Sequence, residues 1–187
     1  MIFTSFLLEN NNSVKAIENP KHLGWVKTQY AWNYYYDNIQ NPIKASGWKA
    51  IDGKWYYFTP RTGSMVVNNW ISDNGKWYFL SKTGEMKTGW LQDDNSIWYY
   101  LNKSGEMQTG LIKDNNNWYH LEQDGILTFN WRSINNNWYF FDNSGAMRTG
   151  WLNNQGIWYY LNENGQMLTN TTINGWKLSS NGSASLA

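Results

Sequence analysis

Tryptophan, tyrosine or phenylalanine, and methionine recur along this chain in a fixed order, and that order has chemical content. Trp48, Trp55 and Tyr57 precede Met65; Trp70, Trp77 and Phe79 precede Met86; Trp90, Trp98 and Tyr100 precede Met107. Trp118 and His120 stand in a fourth set, Trp131, Trp138, Phe140 and Met147 in a fifth, and Trp151, Trp158, Tyr160 and Met167 in a sixth. Aromatic rings set around a gap attract a cation through their electron-rich faces. A quaternary ammonium cannot donate a hydrogen bond, so π faces suit it better than carboxylates. A thioether adds a polarisable floor. The same rings could instead stack on sugars or serve only as packing. Spacing alone leaves all three readings open.

Other chemistry finds little to work with. The two histidines, His22 and His120, lack spaced cysteine or carboxylate partners of the metal-binding kind. Asp93-Asp94 reads as a solvated turn. Nucleophile elbows, phosphate loops and zinc signatures are missing. We expect no enzyme, no cofactor and no metal site. Fifteen basic residues against 14 acidic ones give a net charge of +1, which provides no field for nucleic acid. Cysteine is absent, so neither a disulfide scaffold nor a thiolate metal site can form. No apolar run approaches a membrane span, and no membrane insertion is expected. Met1–Leu8 is apolar but lacks the basic flank and cleavage site of a signal peptide, so an export signal is not evident.

A tandem repeat positions the rings. Trp-Tyr pairs begin at Trp55, Trp77, Trp98, Trp118, Trp138 and Trp158, at intervals of 22, 21, 20, 20 and 20 residues. Each follows a marker, Trp48, Trp70, Trp90, Leu111, Trp131 or Trp151, by seven residues, or eight in the third unit. A Gly-x-Met closes each unit except the fourth, which has Gly125 and Leu127. Each unit reads as a β-hairpin: Asp52-Gly53 is a favoured type I′ turn between Trp48–Ile51 and Lys54–Phe58. That register sets Trp48 opposite Tyr57, Trp70 opposite Phe79 and Trp151 opposite Tyr160. Hairpins are expected near 48–58, 70–80, 90–101, 111–121, 131–141 and 151–161. An isolated hairpin is marginal, so neighbours must bury one another's rings. The alternate parity (Tyr56, Phe58, Tyr78, Leu80, Tyr99, Leu101, Tyr119, Leu121, Tyr139, Phe141, Tyr159 and Leu161) is read as that packing. Residues 1–23 form a leader or irregular segment, 24–46 a degenerate first hairpin with Trp25 and Trp32, about 47–170 the full repeats, and 171–187 a closing half repeat with Trp176.

Two stretches carry a family likeness: GWLQDDNSIWYYLNKSGEMQTG (Gly89–Gly110) and GWLNNQGIWYYLNENGQMLTN (Gly150–Asn170). The unit resembles the choline-binding repeat of surface proteins, autolysins and phage lysins of streptococci and relatives, over about residues 47–178 and more loosely over 24–46. The resemblance implies an all-β fold of tandem hairpins stacked in a left-handed superhelical solenoid. It implies non-covalent attachment to the bacterial cell wall through choline or phosphocholine on teichoic or lipoteichoic acid, by a secreted protein at the cell surface. Related repeats in glucan-binding domains keep a carbohydrate ligand open. A third reading is an adhesin or modulator of wall hydrolases, with another protein as partner.

Each family site takes two Trp from one hairpin, one aromatic ring from the next, and a nearby Met. By resemblance, Trp48 and Trp55 go with Phe79, Trp70 and Trp77 with Tyr100, and Trp90 and Trp98 with His120. Trp131 and Trp138 go with Tyr160, Trp25 and Trp32 with Tyr57, and Trp151 and Trp158 with Trp176. Met65, Met86, Met107, Met147 and Met167 are carried as a set. Leu111 and Leu127 depart from the pattern, and both are expected to weaken one site, that of Trp118 and Phe140. A protonated His120 would repel a cation and weaken the Trp90–Trp98 site at low pH.

Overall fold

The structure, a computed structural model, describes residues 23–186, and those residues contain strands, turns and extended linkers but no helix. The expected leader therefore lies, up to residue 22, outside the described residues, as does His22. The chain divides into two units, one ending at Lys87 and one beginning at Thr88.

The first unit opens with a three-stranded antiparallel sheet, β1 (Gly24–Lys27), β2 (Trp32–Asn38) and β3 (Asn41–Lys44). Two hairpins follow, β4 (Gly47–Ile51) with β5 (Lys54–Phe58), and β6 (Asn69–Asp73) with β7 (Lys76–Leu80). The second unit holds four hairpins. They are β8 (Gly89–Gln92) with β9 (Trp98–Leu101), β10 (Gly110–Asp114) with β11 (Asn117–Leu121), β12 (Asn130–Ile134) with β13 (Asn137–Phe141), and β14 (Gly150–Asn154) with β15 (Ile157–Leu161). It ends in a second three-stranded sheet, β16 (Thr171–Ile173), β17 (Trp176–Leu178) and β18 (Ala184–Leu186). All six expected hairpins form, in the expected register: Trp48 pairs with Tyr57, Trp70 with Phe79 and Trp151 with Tyr160. The stretch 24–46, read as a single hairpin, has a third strand instead.

Turn chemistry explains the register. Asp52 and Gly53 both take positive φ (50° and 76°), as a type I′ turn requires. Asn115-Asn116 and Asn135-Asn136 do the same without glycine, because Asn tolerates the left-handed region better than other side chains. The third hairpin is longer by one residue, and Asp93 holds its tip: Asp93 Oδ1 accepts the N–H groups of Asn95 and Ile97 at 2.9 Å each.

The interior of each unit is a ladder of single side chains. Phe58 and Leu80 in the first unit, and Leu101, Leu121, Phe141, Leu161 and Leu178 in the second, are at most 1% exposed. Each ends the second strand of its hairpin, and the linker then returns to it. Met65 bridges Phe58, Met86 bridges Leu80, Met107 bridges Leu101, Leu127 bridges Leu121, Met147 bridges Phe141 and Met167 bridges Leu161. At the ends of the described chain the one-residue bridge lengthens into a strand, with Lys44 on Tyr35 and Ala184 on Leu178. Glycine makes room for the returning side chain: a methyl group at Gly84 (φ 84°) would stand 2.5 Å from Met65 Sδ. Gly165 has the same relation to Met147 Sδ. The Gly-x-Met motif is thus a packing device in which the Gly of one unit seats the Met of the unit before.

Candidate functional site

The two faces of each hairpin differ. On one face the first Trp pairs across the strands with an aromatic residue and stands edge-on to the second Trp. Trp48 lies 6.5 Å from Trp55 and 5.2 Å from Tyr57 between ring centroids. Trp25 repeats this with Trp32 (6.5 Å) and Tyr34 (5.2 Å), Trp90 with Trp98 (6.4 Å) and Tyr100 (5.0 Å), and Trp151 with Trp158 (6.5 Å) and Tyr160 (5.1 Å). These T-shaped contacts put the positive edge of one ring on the negative face of another. The cross-strand partner therefore fixes the first Trp, and the second Trp is left exposed at one side.

The third ring is not the expected one. Trp25 meets Tyr56 at 4.9 Å, Trp48 meets Tyr78 at 5.0 Å, Trp90 meets Tyr119 at 4.7 Å and Trp131 meets Tyr159 at 4.9 Å. Tyr57, Phe79, His120 and Tyr160 do not fill those places. The reason is the pleat. A hairpin that offers one face to its successor must be met by the successor's other face, so the closing residue has the opposite parity. That parity, read from sequence as packing alone, does both jobs: Phe58 is buried and lies 5.9 Å from Trp25, while Tyr56 closes the gap beside it. Trp176 stands against Trp151 at 5.9 Å. Trp70 stands against Phe79 at 5.2 Å and Trp77 is exposed, whereas Tyr100 stands against Trp90 in its own hairpin. Phe140 likewise stands against Trp131, at 5.2 Å, while Trp138 is exposed.

Three of these clusters enclose open cavities. Trp25, Trp32, Tyr56, Met65 and Thr83 surround about 300 Å³. Trp90, Trp98, Tyr119, Leu127, Phe129, Asn143 and Ser144 surround about 340 Å³. Trp151, Trp158 and Trp176 line about 280 Å³. No carboxylate or ammonium lines any of the three. Among the described residues no group of His, Asp and Glu is placed to hold a metal.

The methionine position serves the cage one hairpin back. Met65 N–H donates to the Trp32 carbonyl at 2.8 Å, Met86 to Trp55 at 2.8 Å, Leu127 to Trp98 at 2.9 Å, Met147 to Trp118 at 2.8 Å and Met167 to Trp138 at 2.7 Å. Met107 bridges Leu101 and packs under Gly125. This corrects the expectation that Leu111 and Leu127 spoil one site together. Leu127 belongs to the Trp90–Trp98 cage, where Phe129 adds a fourth ring. Leu111 stands where the other hairpins place their first Trp, and the Met147 N–H still reaches the Trp118 carbonyl.

His120 is also displaced from its expected role. It pairs with Leu111, packs 5.9 Å from Phe141, and has Nδ1 2.8 Å from Thr128 Oγ1. Thr128 in turn donates to Glu122 at 2.9 Å, and Arg132 binds the second oxygen of Glu122. Burial lowers the His120 pKa, against the pull of the Glu122 carboxylate. The folded chain therefore binds fewer protons there than the unfolded chain. Stability is complete above the ordinary imidazole range, near pH 6.5, and falls as pH drops through the lowered folded value. Ligand affinity at Trp90–Trp98 should not follow that titration. We expect Tyr119→Ala to weaken ligand at this cage roughly tenfold, the worth of one ring contact. Acidification to about pH 5.5 should lower the melting temperature and leave the affinity unchanged. An affinity that fell with the protonation of His120 would return the imidazole to the cage.

The sequence family described as choline-binding repeat matches residues 45–89, 67–109 and 128–171, and the putative cell wall binding repeat matches residues 109–127. Together these spans are well over half of the 187 residues. The chain belongs to the choline-binding repeat family. Among solved structures it is similar to CbpJ from Streptococcus pneumoniae TIGR4, with 33% identity and a TM-score of 0.81 over 97% of this chain and 62% of that one. It is similar to choline binding protein F from Streptococcus pneumoniae, with 32% identity and a TM-score of 0.79 over 97% of this chain and 64% of that one. Choline binding protein F has also been crystallised in the presence of a peptidoglycan analogue, a tetrasaccharide-pentapeptide. Toxin A of Clostridium novyi is 35% identical over an alignment of 76 residues that covers 36% of this chain and 3% of the toxin. The choline-binding repeats of this chain thus span less than two thirds of each of the two pneumococcal structures.

Proposed function

We propose that this chain attaches non-covalently to a bacterial cell wall by seating the choline groups of teichoic or lipoteichoic acid in its aromatic cages. One observation carries the reading: an edge-on pair of Trp closed by a ring from the following hairpin, around an apolar cavity of 280–340 Å³ open to solvent. A trimethylammonium head fits such a space, satisfies no hydrogen bond and asks for none. Membership of the choline-binding repeat family supports the choice of choline over other cations. Secretion to the cell surface, a binding rather than catalytic role, the domain limits read from sequence and the superhelical stacking of the repeats belong to the same proposal. No helix among the described residues is long and apolar enough to cross a membrane.

Affinity for a single choline should be low. Each cation–π contact contributes roughly 0.5–2 kcal/mol. Two or three of them, less the cost of association, leave about −4 kcal/mol, a dissociation constant on the order of 1 mM. Calorimetry with choline and with dextran tests this. Saturable heat with choline and none with dextran is expected. Heat with dextran alone would replace the cages with sugar-stacking platforms.

A further inference from the structure

The three open cages share their rings but differ in what stands behind the first Trp. In the Trp25 cage Ile51, the last residue of the following hairpin's first strand, joins the buried cluster against which Trp25 packs. The corresponding residue for the Trp90 cage is Asp114. The sheet that closes the Trp151 cage has a shorter first strand, whose last residue Ile173 pairs with Trp176 itself. Trp90 Nε1–H donates to Asp114 Oδ2 at 3.0 Å, and the Tyr100 hydroxyl donates to Asp114 Oδ1 at 3.4 Å. Asn115 Nδ2 also donates to Oδ2, at 3.2 Å. The carboxylate lines no part of the cavity itself. It acts on the cage through the edges of two rings.

A carboxylate at the N–H edge of an indole changes the indole's face in two ways. Accepting the hydrogen bond shifts electron density into the ring, which deepens the attraction for a cation on that face. The carboxylate's own charge adds a direct term. A cation resting on the Trp90 face would lie on the order of 7 Å from it. Coulomb's law at that distance gives between about threefold in a water-like medium and about fiftyfold at the effective dielectric of a protein surface. Salt screening trims the upper figure. An uncharged ligand of the same shape gains nothing from either effect.

We propose that Asp114 is a specificity-determining residue, which makes the Trp90–Trp98–Tyr119–Phe129 cage the one in this set that selects most strongly for positive charge over shape. The inference rests on the cage reading above. It adds that the cages are unequal, and that their rank is set by a residue outside the cavity. The Trp25 and Trp151 cages, in which no described carboxylate bonds the first Trp, serve as internal controls in the same chain.

The test compares Asp114→Asn with the unaltered chain. The one oxygen of asparagine still accepts from Trp90 Nε1–H, and its amide N–H can donate to the Tyr100 hydroxyl oxygen, so the rings keep their support while the charge is lost. Binding is followed cage by cage through the indole N–H signals in nitrogen–proton correlation spectra. Two probes are titrated: choline, and its uncharged isostere 3,3-dimethylbutan-1-ol. In Asp114→Asn the choline dissociation constant at the Trp90 and Trp98 signals should rise about five- to tenfold, within the Coulomb bounds. The isostere should bind that cage as before, and the Trp25, Trp32, Trp151 and Trp158 signals should titrate unchanged with both probes. Equal weakening of both probes at Trp90 would make Asp114 a prop for the ring and overturn the proposal. So would an unchanged choline constant. Absence of any choline-induced shift in the unaltered chain would sink the cage reading itself, a result distinct from either.

Discussion

A resin dense in tertiary or quaternary amine groups will hold this chain through a high-salt wash and release it to free choline. A single cage binds on the order of 1 mM. Several cages on one chain meeting many ligands on one support raise the apparent affinity by roughly 10²–10⁴. The chain's net charge of +1 cannot drive adsorption to a cationic support, so retention there has to come from the cages. Salt screens exposed charges within about 10 Å at 0.1 M but does little to a desolvated contact between an alkylammonium and ring faces. Free choline competes for the same cavities and removes every anchor at once. The measurement is elution under a salt step followed by a choline step. Complete release by salt, with nothing left for choline to displace, would mean ion exchange and would end the functional reading. Replacing Trp158 by Ala, which opens the Trp151–Trp158–Trp176 cavity, should lower the choline concentration needed for release, because one anchor is gone.

Replacing Phe58 by Ala should cost the first unit about 3–5 kcal/mol, the range for emptying a buried phenylalanine site. Against a total stability of 5–15 kcal/mol this is a large fraction. For a chain of this length it corresponds to a fall of roughly 10–15 °C in melting temperature. The cost belongs at the high end because the ladder has no second layer to collapse inward. Phe58 is fully buried, bridges Met65 and lies 5.9 Å from Trp25. The damage should reach the Trp25–Trp32–Tyr56 cage as well, through loss of the floor beneath Trp25. Repeat arrays melt unit by unit, so the readout must be local. Indole signals of Trp25 and Trp32 should broaden at temperatures where Trp151 and Trp158 are undisturbed. A uniform, small shift in all signals would show that the ladder is not what holds the hairpins together.

Much of the fold is legible in the residues themselves. Asp52-Gly53, Asn74-Gly75 and Gln155-Gly156 mark three hairpin tips, and strand alternation from those tips gives the correct cross-strand partner of each Trp. The closing ring was harder. Sequence says which residues share a face of one hairpin, but not which face its neighbour turns toward it. Tyr56 and Tyr57 are adjacent and alike, and only the stacking shows that Tyr56 closes the Trp25 cage while Tyr57 steadies Trp48. A signal was present: a two-sided ribbon repeated in one direction cannot meet like face with like face. Spacing likewise gives Met65 no particular cage, because the linker's return path is a tertiary fact. His120 reads as a ring in a ring's place, and its part-buried bond to Thr128 depends on a linker eight residues later. Asp114 could not be found from spacing at all, since an aspartate beside a hairpin tip is commonplace.

Each cage draws its parts from three successive stretches of chain: a pair of Trp, a ring from the hairpin after it, and a linker residue whose N–H reaches back to the second Trp. Genetic exchange between two such genes therefore has an unusual freedom. A crossover that falls inside a repeat joins the Trp pair of one parent to the closing ring and linker of the other, and the product is a hybrid cavity with a new mixture of walls. Phe129 and Leu127 beside Trp90 and Trp98 show how far one wall can drift while its neighbours hold. Length varies in few places. The step from the buried ladder residue to the returning Met or Leu is longer only from Phe58 to Met65, and the hairpin tip absorbs an extra residue under Asp93. Lineages of such chains should diverge in length at their tips and in ligand preference at their seams.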